Sequence, residues 1–255
     1  MPNPLFDLTG RTALITGSGQ GLGLAIAEGL AEAGARIVLN GRSEDRLKAA
    51  AQTLRDAGHD VLLAPFDVTD YDAAHAAVNA LEAGGTAIDI LVNNAGIQRR
   101  APLETFTRKD WDDIMRTNID SLFFVGQAVA RHMIQRGRGK IINIASIQSE
   151  LARPTIAPYT TSKGAVKNLT KGMCTDWAKY GLQINAIGPG YYATPLNQAL
   201  IDDPEFDAWV KKRVPTGRWG RMEDLHGAAV FLASSASDFV NGHTLYVDGG
   251  LLAAI

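Results

Sequence analysis

Short apolar runs and longer mixed stretches alternate along this chain. The runs are RTALITG (11–17), ARIVLN (35–40), VLLAPFDV (61–68), IDILVNN (88–94), KIINIAS (140–146), LQINAIG (182–188) and HTLYVDGG (243–250). Most are near-continuous in Val, Ile and Leu, the pattern of strands buried on both faces. The stretches between them carry helical signals. The first spans about Leu22 to Ala33, and Ser43 followed by Glu44 and Asp45 supplies an N-cap hydroxyl and two acids that the helix dipole favours. Strands alternating with helices predict an α/β fold of the Rossmann type, a doubly wound parallel sheet of about seven strands. Its crossovers are right-handed and its ligands sit at the strand carboxyl ends.

No linker, repeat or low-complexity segment divides the chain, so a single domain over 1–255 is expected. The rhythm breaks at about 191–216, where Pro195, Pro204 and Pro215 surround short helical pieces. That stretch is expected to be an insertion on the substrate side, a lid.

Composition narrows the class. With 255 residues, 46% of them hydrophobic, the chain can bury a substantial core. A net charge of −2 provides no basic field for nucleic acid. The single cysteine, Cys174, cannot form an internal disulfide, which suits a reducing compartment. No signal-type apolar region follows the amino terminus, and the longest apolar stretch, near SLFFVGQAVA, is too short to span a bilayer. The expectation is a cytoplasmic protein without membrane, nucleic-acid or metal partners.

The chemistry begins at TGSGQGLG (16–23), between the first strand and the first helix. Glycines at 17, 19, 21 and 23 let backbone turn tightly and approach a pyrophosphate, whose charge a helix amino terminus favours. The spacing G-x-G-x-x-G is not met, since Leu22 and Leu24 stand where the last glycine would fall. A tight strand-to-helix connection would use the same glycines. The second strand ends VLNGRS, with no acid between Val38 and Ser43 to hold a ribose 2′-hydroxyl. Arg42 is placed instead to meet a 2′-phosphate, with Asn40 as a neutral donor, so NADP(H) is preferred and NAD(H) remains possible. Farther on, Tyr159 and Lys163 lie four apart on one helical face. A nearby ammonium favours the phenolate, and so suits a tyrosine to acid–base work. Ser146 ends a strand and can donate to a substrate oxygen.

T-G-x-x-x-G-L-G at 16–23, Asn-Asn-Ala-Gly at 93–96, Ser146, and Tyr-x-x-x-Lys at 159–163 together resemble the short-chain dehydrogenase/reductase family over essentially the whole chain. The resemblance implies a nicotinamide cofactor and a homotetramer. It implies Ser146, Tyr159 and Lys163 as catalytic, with Asn118 positioning Lys163 through water. It also implies cofactor contacts from Gly17, Ser18, Gly21, Leu22, Gly23, Asp67 (at the adenine), Val68, Asn94, Ala95, Gly96, Pro189, Gly190 and Thr194, besides Tyr159 and Lys163. Asp67 could equally be a helix N-cap.

Substrate choice must come from three stretches: NNAGIQRR, IQSELARPTI after Ser146, and the segment from Tyr191. Gln148, Glu150 and Arg153 make the second polar, which argues against steroids and long acyl chains. An arginine with a nearby glutamate suits a polyol bearing a carboxylate. NNAGIQRR, IQSELARPTIAPYTTSKGAVKNLTKGMC, GRWGRMEDL and DFVNGHTLYVDGGLL are similar to family members that interconvert D-gluconate and 5-dehydro-D-gluconate. Some such members carry an acid where this chain reads NGR, so cofactor preference rests on Arg42. Arg100 is favoured over Arg99 to meet the substrate carboxylate, with Arg153 next in line. Another polar ketone, polyol or 3-oxoacyl thioester remains an alternative substrate, and a nucleotide-binding regulator without turnover is a remote one. The apolar end VDGGLLAAI fits either a subunit contact or a tail folded on its own core.

Overall fold

A computed structural model describes residues 3–194 and 197–254. Seven strands form one parallel sheet in the order β3-β2-β1-β4-β5-β6-β7. They are β1 (Thr12–Ile15), β2 (Arg36–Gly41), β3 (Val61–Pro65), β4 (Ile90–Asn93), β5 (Gly139–Ile144), β6 (Leu182–Pro189) and β7 (Thr244–Val247). β1, β3, β4 and β5 stop short of the apolar runs that predicted them, and residues just beyond them (Gly17, Phe66, Asn94 and Ser146 among them) line the cleft.

Side chains on successive strand residues point to opposite faces, and each face has its own helices. Ala13, Ile15, Ile37, Leu39, Ile90 and Val92 pack with α1 (Gly21–Glu32), α2 (Glu44–Asp56) and α9 (His226–Ala233). Leu14, Val38, Leu91 and Ile141 pack with α3 (Tyr71–Ala83), α5 (Ser121–Arg136) and α6 (Ala157–Trp177). The doubly wound expectation therefore holds. Among the described residues no helix is long and apolar enough to cross a membrane.

Two local features place the site. α4 (Arg108–Met115) runs into α5 through a single π-helical turn, Arg116–Asp120, rather than continuing as a regular helix; Asn118 sits in that turn, buried. Such turns widen the helix by one residue and re-aim side chains. The irregular segment after β6 contains α7 (Gln198–Ile201) and α8 (Pro204–Arg213). It has its own small core, in which Val210, Val214 and Trp219 meet Ile147 and Leu251. Pro195 lies outside the described residues. The carboxyl-terminal stretch folds onto this core: Arg213 donates to the carbonyls of Leu251 (3.1 Å) and Ala254 (3.0 Å).

Candidate active site

At the carboxyl ends of the strands lies a cavity of about 760 Å³, lined from the glycine loop to Tyr191 and Asn197. Its walls are contributed by loops after β1 to β6, where the sheet order reverses between β1 and β4.

The glycine-loop end is built mostly from backbone. Gly17 (φ +63°) and Gly21 (φ +62°) adopt the left-handed conformation that other residues resist. A Cβ on Gly17 would also meet the Ala95 backbone at 3.0 Å. Gln20 caps α1 without a side-chain hydrogen bond, and the first turn carries no acid, so the amide donors of that turn stay open toward the cavity. Gly19, Gln20, Gly21 and Leu22 line it. Ser18 and Gly23 do not, which corrects their assignment as contacts. The Ser18 hydroxyl is buried, donating to the Ile15 carbonyl (2.7 Å) and accepting from the Asn40 amide (3.0 Å). Gly23 is needed for packing, since a Cβ there would lie 2.4 Å from the Asn94 side chain.

Arg42 lies exposed at the cavity edge, 3.9 Å from Asp67. Asn40 touches the cavity, but its side-chain amide donates to Ala64 (2.9 Å) and Phe66 (3.1 Å) carbonyls, tying β2 to β3 instead of pointing a free donor outward. Sequence reasoning missed Arg46, which lines the same end. It lies in the first turn of α2, four residues after Arg42, which precedes the helix. Asp67 and Val68 line the cavity, and the N-cap of α3 is Asp70, not Asp67. Burial raises the Asp67 carboxyl, but hydrogen bonds from Thr69 and the charge of Arg42 outweigh it, and the group stays below its ordinary value.

Across the sheet, Asn94, Ala95 and Gly96 line the middle of the cavity. The Asn94 side chain donates to the carbonyls of Thr16 (2.9 Å) and Gly17 (3.1 Å), locking the glycine loop to the end of β4. Asn118 fastens the next segment, accepting from the Ile97 amide (2.8 Å) and donating to its carbonyl (3.0 Å) and to Ser162 (2.9 Å). A Cβ on Gly96 would lie 3.3 Å from Asn118 Oδ1 and 3.8 Å from Lys163 Nζ. Asn118 is thus near the lysine, with its amide spent on backbone and Ser162.

Ser146, Tyr159 and Lys163 meet at the end of β5. The Ser146 hydroxyl accepts from the Gln148 amide (3.1 Å), and its influence lowers the Tyr159 phenol. Lys163 Nζ donates to the Ile144 carbonyl (2.6 Å) and sits 5.6 Å from the centre of the Tyr159 ring. Burial pushes the Tyr159 phenol up to about 12, against smaller lowering by Ser146 and Arg100. Burial brings Lys163 down to about 8. The sequence led us to expect a lysine that lowers the phenol. In this geometry burial sets both groups, and the groups that lower the phenol are Ser146 and Arg100 rather than Lys163.

Pro189, Gly190 and Thr194 line the cavity beyond. Thr194 Oγ1 and Gln148 Oε1 are both buried without a hydrogen-bond partner. A buried unpaired oxygen is costly, so two of them in the lining of one cavity mark places where a ligand completes the structure. The glycine cradle, the open helix start and these two oxygens fit a nicotinamide dinucleotide.

The substrate end is less uniform. Arg153 lines the cavity, its guanidinium 5.5 Å from the centre of the Phe206 ring, and its charge lowers the Tyr191 phenol against the raising effect of burial. Tyr191, also in the wall, packs edge-on against Phe206, Trp209 and Trp219. Arg100 donates to Gln98 Oε1 (3.1 Å). Burial and the neighbouring Arg153 charge pull it below its ordinary value, and Tyr191 and Tyr159 partly offset this. Arg99 instead reaches Asp110 at 3.5 Å on the outside. Glu150 corrects its assignment as a substrate contact: its carboxylate is taken by Lys167 and by the Tyr246 hydroxyl (2.6 Å), and it does not line the cavity. One backbone bond, Ala101 amide to Thr155 carbonyl (3.1 Å), staples the two arginine-bearing loops together. Thr155 makes it from φ +72°, a strained conformation for a β-branched residue.

A family model described as enoyl-(acyl carrier protein) reductase matches residues 17–252. The chain is 60% identical over 251 residues to a gluconate 5-dehydrogenase of Gluconobacter oxydans (strain 621H), covering 98% of each. It is 51% identical over 253 residues to a 5-keto-D-gluconate 5-reductase of Escherichia coli (strain K12), covering 99% of this chain and 100% of that one. A crystal structure of a gluconate 5-dehydrogenase from Burkholderia cenocepacia J2315, in complex with NADP and tartrate, superposes with a TM-score of 0.97 at 61% identity, over 99% of both chains.

Proposed function

The chain belongs to the short-chain dehydrogenase/reductase family, and from that premise we propose that it interconverts D-gluconate and 5-dehydro-D-gluconate with NADP(H). The observation that carries this reading is the meeting of Ser146, Tyr159 and Lys163 in one cavity, with Arg153 in its far wall and Arg100 beside it. An acid–base group lies at one end and positive charge at the other, as a carboxylate-bearing polyol requires.

The glycine loop and the open start of α1 hold the pyrophosphate of the cofactor, and Arg42, joined by Arg46, holds its 2′-phosphate. Bound there, the cofactor supplies the hydride acceptor in oxidation and the donor in reduction. Ser146 donates a hydrogen bond to the C5 oxygen. In reduction Tyr159 gives that oxygen its proton, and in oxidation it takes the proton away. Burial holds the phenol up near 12, so at neutral pH it carries the proton that reduction requires. Arg100 and Arg153 receive the C1 carboxylate, and the segment 191–216 acts as a lid over it.

We further take the protein to work in the cytoplasm as a homotetramer. Exposed Trp111 on α4 and Phe123 on α5 support subunit contact, and gel filtration tests it.

Steady-state rates with 5-ketogluconate and gluconate, each with NADP(H) and NAD(H), test the proposal. The sugar acid with the phosphorylated cofactor should give the highest kcat/KM. A higher value for another polar ketone or a 3-oxoacyl thioester would overturn it.

A further inference from the structure

Glu150 is freed from the substrate by its geometry, and what it holds instead has a consequence for the reaction. Ser146 is followed by only a short turn, Ile147–Ser149. That turn is fastened to α6 twice. Ser149 Oγ donates to the Lys163 carbonyl (2.9 Å), and one helical turn on, Lys167 Nζ pairs with Glu150. The same carboxylate accepts the Tyr246 hydroxyl of β7 at 2.6 Å. Lys167 and Tyr246 together hold the Glu150 carboxyl below its usual range.

Tyr246 is itself fixed on the opposite wall. Its ring packs against Gly188 of β6, where an added Cβ would meet the ring at 2.3 Å. Gly188 immediately precedes Pro189 and Gly190, which line the cavity. Glu150 therefore bridges two walls. One carries Ser146 and, through α6, Tyr159 and Lys163. The other carries Pro189–Gly190, the wall assigned to the nicotinamide side.

We infer that the Lys167–Glu150–Tyr246 strut is a positioning device, setting the spacing between the proton-transfer wall and the cofactor wall. The pair is partly open to solvent, so it adds little to stability. Its leverage is geometric, because a displacement of about 1 Å between reacting groups can cost about a hundredfold in rate. This inference rests on the oxidoreductase reading but not on the identity of the sugar acid.

The test compares Glu150→Ala, Glu150→Gln and Tyr246→Phe with the wild-type enzyme, using whichever polar ketone the wild type reduces fastest. Glu150→Ala should lower kcat about tenfold or more, with substrate KM and cofactor Kd within about twofold. The kinetic isotope effect from deuterated NADPH should rise as hydride transfer becomes limiting. Glu150→Gln keeps an acceptor for Tyr246 and should recover part of the loss. In the cofactor-free protein, amide exchange over 147–151 should speed up in Glu150→Ala and Tyr246→Phe while Tm changes by only a few degrees. An unchanged kcat and isotope effect would overturn the inference. So would a raised KM at constant kcat, which would return Glu150 to the substrate. If the wild type reduced no sugar acid but another ketone, the proposed substrate would fail and the strut would still be measurable.

Discussion

At the glycine-loop end of the cleft the wall is largely backbone, cross-braced by Asn40 and Asn94, whose amides are spent on neighbouring carbonyls. At the far end the wall is side chains from three loops, held by one backbone staple at Thr155, a cation over an aromatic ring and a few hydrogen bonds. The first end presents preformed donors to a ligand that many related proteins share. The second presents charges whose positions depend on how three distant segments pack. A cofactor site can therefore be rigid and general, and a substrate site adjustable and particular, within one cavity.

The largest expected effect sits where the two ends meet. Tyr159→Phe should abolish nearly all turnover, by about 10²- to 10⁴-fold in kcat, and leave cofactor binding intact by fluorescence titration. A residual rate above a tenth of wild type would remove Tyr159 from the chemistry. At the substrate end, Arg100→Ala and Arg153→Ala should each raise KM for 5-ketogluconate by about ten- to a hundredfold, the worth of a charge-assisted hydrogen bond. The double variant should fall short of the product of the two, since the guanidiniums sit close enough to repel and share one anion. If both single variants kept the wild-type KM, the far end would not be an anion receptor.

At the cofactor end, Arg42→Ala should raise KM for NADPH by about tenfold and hardly change that for NADH. The effect is smaller because Arg42 is exposed and Arg46 remains. Equal changes with both cofactors would show that Arg42 does not read the 2′-phosphate. The smallest effect is on stability. Lys163 falls from 10.5 to about 8 on folding, so between those values the unfolded chain binds more protons and stability rises with pH. Tyr159 rises from 10.0 to about 12, so above pH 10 the folded chain binds more protons and stability falls. Urea titrations of the cofactor-free protein against Lys163→Met should show a wild-type gain from pH 8 to 10 that the variant lacks.

How much of this was legible in the chain differs between the two ends in the same way. The strands, the glycine cradle and the Ser146–Tyr159–Lys163 set follow from local patterns: apolar runs, a glycine cluster after a strand, and a four-residue helical spacing. Arg46 was missed, and Ser18 and Gly23 were given contacts although neither lines the cavity. Glu150 illustrates the other limit. Its neighbours in sequence suggest a polar pocket, but its partners, Lys167 and Tyr246, arrive from α6 and β7.

The sequence by itself determined the doubly wound sheet and the residue types at its carboxyl edge, because periodicity and turn chemistry act over a few neighbouring residues. Only the tertiary structure decided which of those residues face the cavity, that burial raises the Tyr159 phenol, and that Arg100 approaches Arg153 while Arg99 turns to Asp110. Those outcomes depend on desolvation and on the packing of segments far apart in the chain, and no local pattern encodes either.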